Sequence, residues 1–274
     1  MLESILDYEL HFINRKENNR YADLYPMKHF LFCMLILATG HPLAAQPRIH
    51  AHDDYLQVIP LMNALQHKVF SIEADVYLTH RGLVVAHNKK DTAAAPTLDS
   101  LYLQPIIRLF QQHNGRISAD TTYTPVLMIE SKENGPAVIA ALIQLTTAYP
   151  FVFDRAMNSK AVQLVISGNR SAVAKWITYP PFIFFDGRPY EEYDSATLQR
   201  IAFISDDYYN YVPQPDSTSR LQQLIKKIHG MDKLLRLWAT PDNTAAWSLF
   251  QQVGIDIINT DKVGECSDYF LKAK

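Results

Sequence analysis

Ser71-Ile72-Glu73-Ala74-Asp75-Val76 is the stretch on which the fold turns. It is an apolar run that closes on two carboxylates, although an unpaired charge in a protein interior is costly. Two further runs share this design. Pro47 to His52 leads into His50-Ala51-His52-Asp53-Asp54, and Val126 to Ile129 leads into Glu130-Ser131-Lys132. Read as strands, they alternate faces, so His50 and His52 point one way, as do Glu73 with Asp75 and Glu130 with Lys132. The intervening Ala51, Ala74 and Ser131 are small, as suits positions pressed by helices from outside.

Working outward, short apolar runs alternate with helical patterns to the end of the chain. The strand-like segments are 49–52, 70–76, 126–130, 163–166, 182–185, 201–204, 234–238 and 255–259. Helix-like stretches cover 56–65, 98–112, 136–148, 171–178, 197–200, 218–229 and 244–253. Strand and helix in alternation argue for a parallel sheet, and continuous apolar strands fit burial on both faces. Eight units favour a closed (β/α)8 TIM barrel in a single domain; no glycine-rich phosphate loop follows the first strand, which disfavours an open nucleotide-binding sheet. The link from Ser195 to Ser205 has room for one helical turn. Leu83-Val84-Val85-Ala86 reads as an extra hairpin that lifts His87 over the mouth of the barrel.

The 274 residues are 48% hydrophobic and 20% charged with a net charge of −2, so no basic field points to nucleic acid and no acidic tract to disorder. Residues 27–45 have the layout of a secretory signal peptide: Met27-Lys28-His29, an apolar run from Phe30 to Ala38, then Leu43-Ala44-Ala45. Cleavage after Ala45 is expected, and residues 1–26 read as a non-native upstream extension. The barrel then occupies 46–274. Such a product is secreted or periplasmic, keeps Cys266 as its one cysteine, and has no internal disulfide. No stable membrane insertion is expected, and no exposed apolar anchor is legible.

In a (β/α)8 barrel the C-terminal strand ends converge on the active-site mouth. Glu73, Asp75 and Glu130 would meet there as hard oxygen donors suited to Mg²⁺ or Ca²⁺; the competing expectation is that they pair with Lys132, Arg236 or Arg48. His52 and His87 are the acid/base candidates, since imidazole both takes and gives protons near neutral pH. His50 lies one layer deeper and is set to brace the others. His67, His80, His113 and His229 fall on helix or loop patterns and read as surface residues.

His52-Asp53-Asp54-Tyr55, Pro60-Leu61, Ala64-Leu65, the run from Ser71 to Val76, and His87 together resemble the glycerophosphodiester phosphodiesterase and phosphatidylinositol phospholipase C-like superfamily. The resemblance is to its branch with a His-Asn-Asp-Tyr motif, and it extends to the run from Thr97 to Leu103, Ile129-Glu130-Ser131-Lys132, Trp238-Ala239-Thr240 and Gly254-Ile255-Asp256 through Thr260-Asp261. It implies a divalent metal on Glu73, Asp75 and Glu130, acid/base roles for His52 and His87, and Lys132 and Trp238 lining the substrate site. There are two departures. Asp53 stands where the branch has asparagine, and the phosphodiesterases proper carry arginine there, so a phosphate-binding guanidinium is missing from this position.

The expected activity is metal-dependent cleavage of a small-molecule or lipid-headgroup phosphodiester. Two alternatives use the same barrel. One is a non-catalytic phospho-ligand-binding protein; the other is a zinc amidohydrolase, suggested by His50-x-His52. The latter needs histidines on the middle strands, whose ends offer Ser167, Asp186 and Ser205 instead.

Overall fold

The computed structural model of the chain describes residues 46–212 and 216–272. The leader at 27–45 and the extension at 1–26 lie outside the described residues. The strands are β1 (Arg48–Ala51), β2 (Ser71–Thr79), β3 (Gly82–Val85), β4 (Val126–Ser131), β5 (Gln163–Gly168), β6 (Ile183–Gly187), β7 (Ile201–Asp207), β8 (Leu235–Trp238) and β9 (Ile257–Thr260). All but β3 run parallel. β1 pairs with both β2 and β9, which closes the sheet into an eight-stranded barrel. β3 is the expected hairpin: it pairs antiparallel with the extended end of β2, Val76 opposite Val85 and Thr79 opposite Gly82.

The core has two parts. The larger lies outside the barrel wall, where Ala51, Ile72, Ala74 and Ile129 meet the helices. A small plug of Val126, Met128, Val165, Phe203 and Ile257 fills the lower barrel interior. Above this plug the interior turns polar. Arg236 on β8 reaches across to Glu73 on β2, and Asp186 on β6 lies beside it. A barrel interior is ordinarily filled by branched apolar side chains. Buried charge here is held by partners, not by solvent.

The helices depart from expectation in places. The stretch 56–65 forms a 3-10 turn, Asp54–Leu56, and a short helix, Met62–Gln66, separated by an irregular loop. The cause is Asp54, fully buried, whose Oδ2 accepts the Leu61 N–H and the Tyr102 hydroxyl and so pins the chain in a non-helical path. The stretch 98–112 opens with a π turn, Asp99–Leu103, before the helix Gln104–Gln112, and 171–178 is a 3-10 helix, Val173–Thr178. The cramped link before β7 holds one turn, Ser195–Leu198. A last helix, Val263–Lys272, covers β1 and was not among the expected stretches. Among the described residues no helix is long and apolar enough to cross a membrane.

Candidate active site

Register brings the acids together. Asp75 on β2 sits opposite Glu130 on β4, and Glu73 lies two residues deeper on the same face of β2. Oxygens of Glu73, Asp75 and Glu130 lie within 4.8 Å of one another. Gly168 on β5 makes room for this. Its φ is +67°, and a Cβ there would lie 2.8 Å from Glu130 Cγ and 2.6 Å from the Ser131 carbonyl oxygen. Only glycine takes that backbone without strain and leaves the Glu130 side chain its place.

Each acid has a donor or cationic partner. Glu73 Oε2 accepts from His50 Nε2 at 2.6 Å and from Arg236 at 2.9 Å. Burial, then the Arg236 charge, holds the His50 imidazole well below its ordinary pKa, so it is neutral. It therefore donates from Nε2 to Glu73, while Nδ1 accepts from the Ser71 hydroxyl at 2.9 Å. His50 braces Glu73 as its depth in the strand suggests. Lys132 Nζ lies 2.7 Å from both Asp75 Oδ2 and Glu130 Oε1. The competing expectation is thus met in part: Lys132 and Arg236 do pair with the acids. Arg48 does not; its guanidinium sits 4.7 Å over the Phe70 ring.

Two cations against three clustered carboxylates leave a surplus negative charge, and the chemistry shows it. Burial, despite the Lys132 hydrogen bond, raises the Asp75 pKa. Burial and then the Glu73 charge raise that of Glu130. Asp75 Oδ1 is buried with no hydrogen-bond partner. A buried acceptor left unmade costs free energy unless something else fills it. Three hard oxygen donors, one of them on a carboxylate with an unpaired buried oxygen, fit a divalent, oxygen-loving cation.

The imidazoles flank this cluster. His52, just past the end of β1, bonds through Nδ1 to Asp261 Oδ1 at 2.7 Å. Burial lowers its pKa, but the Asp261 hydrogen bond and the Glu73 and Asp53 charges together outweigh this and raise it to about 9. His87, carried past β3, sits with Nδ1 3.1 Å from Asp75 Oδ2. Tyr55 ties the rim to the floor: its hydroxyl lies 2.6 Å from Asp53 Oδ1 and 2.8 Å from Asp75 Oδ2. Asp53 has φ +45°, a left-handed conformation that asparagine and aspartate tolerate best, which gives a backbone reason for either residue at this position.

A cavity of about 480 Å³ opens on these groups, lined by His52, Glu73, His87, Glu130, Lys132 and Trp238. Arg188 and Arg236 line it too. Two guanidiniums thus face the cavity from β8 and from the end of β6, neither of them near position 53 in the sequence. Arg188, at the end of β6, stacks 4.6 Å over Trp238 and pairs with Asp186 at 2.9 Å. Sequence reading passed over it, although Asp186-Gly187-Arg188 repeats the alternation that marked the other pairs. Asp186 is spoken for: Ser167 and Ser205 donate to its two oxygens at 2.8 and 2.6 Å. The middle strands thus offer a closed polar network and no imidazole, which is unsuited to a zinc amidohydrolase.

Residues 44–171 match the family described as an AIM6-like phosphodiesterase domain. Altered inheritance of mitochondria protein 6 of Eremothecium gossypii is 23% identical over 268 residues, spanning 81% of this chain and 69% of that protein. The altered inheritance of mitochondria protein 6 homolog of Arthroderma benhamiae is likewise 23% identical, spanning 81% of this chain and 83% of its own length. Among solved structures, a glycerophosphodiester phosphodiesterase from Parabacteroides distasonis superposes with a TM-score of 0.55 at 14% identity, over 83% of this chain and 98% of the other, a likeness of fold. Over residues 44–171 the chain is therefore similar to the AIM6-like phosphodiesterase domain, and its barrel has the fold seen in a glycerophosphodiester phosphodiesterase.

Proposed function

We propose that the protein is a divalent-cation-dependent phosphodiesterase acting on a small or lipid-borne phosphodiester. The observation that carries this reading is the meeting of Glu73, Asp75 and Glu130 around an unpartnered buried oxygen, with an imidazole on either side. Glu73, Asp75 and Glu130 would hold the cation, Mg²⁺ or Ca²⁺. When bound, it would supply neutralisation of charge at the phosphoryl oxygens.

The protein's own residues account for the proton movements. His87, with Nδ1 turned to Asp75, leaves Nε2 free to take the proton of the nucleophile, which is water when the diester carries no hydroxyl of its own. His52 is protonated at neutral pH because its pKa is held near 9, so it gives its proton to the leaving oxygen. Asp261 fixes the ring for that transfer. Lys132 balances Asp75 and Glu130 and places an ammonium beside the phosphate, and Trp238 with Arg188 forms a flat wall against the alcohol.

The test is turnover of bis(p-nitrophenyl) phosphate by the full chain with Mg²⁺, Ca²⁺ or Mn²⁺. Activity is expected to vanish with a chelator and to fall about 10²–10⁴-fold in His52→Ala, the usual worth of an acid/base group. Glu73→Gln should abolish the cation-dependent turnover. Absence of turnover across a broad panel of diesters, alongside tight binding of a phosphorylated ligand, would replace this reading with the non-catalytic one.

A further inference from the structure

The opposite end of the barrel, where the strands begin, holds a cavity of about 820 Å³ that the chemistry above does not use. That volume falls within the roughly 300–1,000 Å³ of small-molecule sites. Arg48, the first residue of β1, Phe70, just before β2, and Thr124, shortly before β4, line it. Arg155 joins them, bonded to Gln163 at the start of β5. The last helix, Val263–Lys272, packs over β1 and adds Ser267 to the lining. The acid cluster lies beyond the apolar plug, toward the other ends of the same strands.

The charges around this cavity do not balance. Arg155 donates to the Ala161 carbonyl oxygen at 3.1 Å, to Gln163 Oε1 at 2.9 Å and to the Pro125 carbonyl oxygen at 3.4 Å. All three acceptors are neutral. They satisfy N–H groups but leave the positive charge unmatched, and burial lowers the Arg155 pKa with no acid to raise it. A guanidinium has five N–H donors, so some remain for a ligand. Arg48 stacks over the Phe70 ring, and its side chain forms no hydrogen bond or ion pair among the described residues. Lys68, also on the lining, differs, because Asp120 meets it at 2.7 Å. Among the described lining residues the one acid is Asp268, at an exposed position of the last helix. A single carboxylate against two unpaired guanidiniums leaves the cavity positive.

Unpaired hydroxyls lead in the same direction. Ser267 is only 9% exposed, yet its hydroxyl has no hydrogen-bond partner among the described residues. A buried hydroxyl ordinarily finds one. Thr146, equally buried on the helix Gly135–Thr146, returns its proton to the Leu142 carbonyl oxygen at 2.8 Å; Ser267 makes no such bond to its own helix. The half-buried Thr124 is likewise without a side-chain partner. Tyr123 is anchored, its hydroxyl donating to the Val69 carbonyl oxygen at 2.8 Å, so that what it offers the cavity is its ring. Forked guanidiniums and free hydroxyls match the oxygens of a phosphate or carboxylate, while the Phe70 and Tyr123 rings suit the apolar body behind it. The strand-start face of such a barrel usually serves stability, and a purely structural face would pair these groups with one another.

We infer that this cavity is a second ligand site, taking a small organic oxyanion, phosphate or carboxylate, held by Arg48, Arg155, Thr124 and Ser267. It does not rest on the phosphodiesterase reading. Titration calorimetry of the full chain with phenyl phosphate and with benzoate, no divalent cation added, tests it. At least one compound should bind, and the tighter of the two tells which anion the site takes. Arg48 is exposed and bonded to no other group, so Arg48→Gln should leave the melting temperature and turnover of bis(p-nitrophenyl) phosphate unchanged. It should weaken the binding about 10–100-fold, the usual worth of a hydrogen bond to a charged group. Arg155→Gln should weaken it as much; that variant also loses its ties to Ala161 and Pro125, so Arg48→Gln decides if it does not fold. Lys132→Met, which takes the ammonium from the catalytic mouth, should leave the binding intact. No binding of either compound overturns the second site. So does binding undiminished in Arg48→Gln, or weakened equally by Lys132→Met. The expected pattern in a chain that cleaves no diester would sustain the second site and remove the phosphodiesterase reading.

Discussion

Asp75 on β2 and Asp186 on β6 stand on different parts of one ring, both almost wholly removed from solvent. Their surroundings differ. Asp186 receives Ser205, Ser167 and Arg188 on its two oxygens, and although burial alone would raise its pKa, the Arg188 and Arg236 charges hold it below the usual value. Asp75 carries Tyr55, His87 and Lys132 on one oxygen and nothing on the other, and its pKa is raised, chiefly by burial. Depth alone therefore does not mark a functional carboxylate. The mark is an acceptor that the protein buries and leaves unpaired, beside further acids.

Substitution should break this pair apart. Asp186→Ala strands the buried Arg188 without its counter-charge, a loss worth about 3–5 kcal/mol. Calorimetry should show a melting temperature lower by about 6–20 °C for a domain of this size. Asp75→Ala should cost distinctly less, since Lys132 keeps Glu130; equal losses would erase the distinction between the two regions.

A smaller effect is expected where the acid cluster meets its support. His50→Ala removes the donor that orients Glu73, and loss of such a brace weakens cation binding by about 10–100-fold. Titration calorimetry with Mn²⁺ reads this directly, and unaltered affinity would show that Glu73 needs only Arg236.

The smallest change lies in pH dependence. Asp261→Asn removes the bond that helps hold the His52 pKa at about 9, so the alkaline limb of activity should move toward the ordinary imidazole value of 6.5. The sign for stability follows. A pKa raised on folding contributes stability that is complete below 6.5 and lost as pH rises through about 9. The unaltered protein should therefore be the more stable one at pH 6, with the gap closing above pH 9. A gap that widens with pH would mean that His52 folds uncharged.

The barrel and its acid cluster were readable in the sequence because both rest on local alternation. Glu73 with Asp75 and Glu130 with Lys132 occupy fixed faces of β2 and β4, and register alone sets them side by side. What escaped depends on distant partners. The path of residues 56–61 is decided by Asp54, whose partner Tyr102 lies in a later helix, so helical periodicity there was misleading. Asp261 fixes His52 from the far end of the chain, and no spacing links the two. Arg188 was different: its alternation with Asp186 was present and simply lacked a reason to be singled out until Trp238 and the cavity gave one.

His87 is set apart from the other site residues by where it is carried. The carboxylates, His52 and Lys132 issue from barrel strands or the turns directly beyond them, but His87 lies just past β3, a ribbon paired to the overhanging end of β2 and bridged at Val84 to Thr97. Ribbon and wall are thus distinct supports: the strands that gather the acids do not depend on the ribbon for their own register. On the proposed mechanism, a relative that had lost the ribbon would keep the acids that hold the cation yet have no group poised to withdraw the nucleophile's hydrogen. If that mechanism holds, an enzyme and a receptor on this architecture would differ by one short appendage.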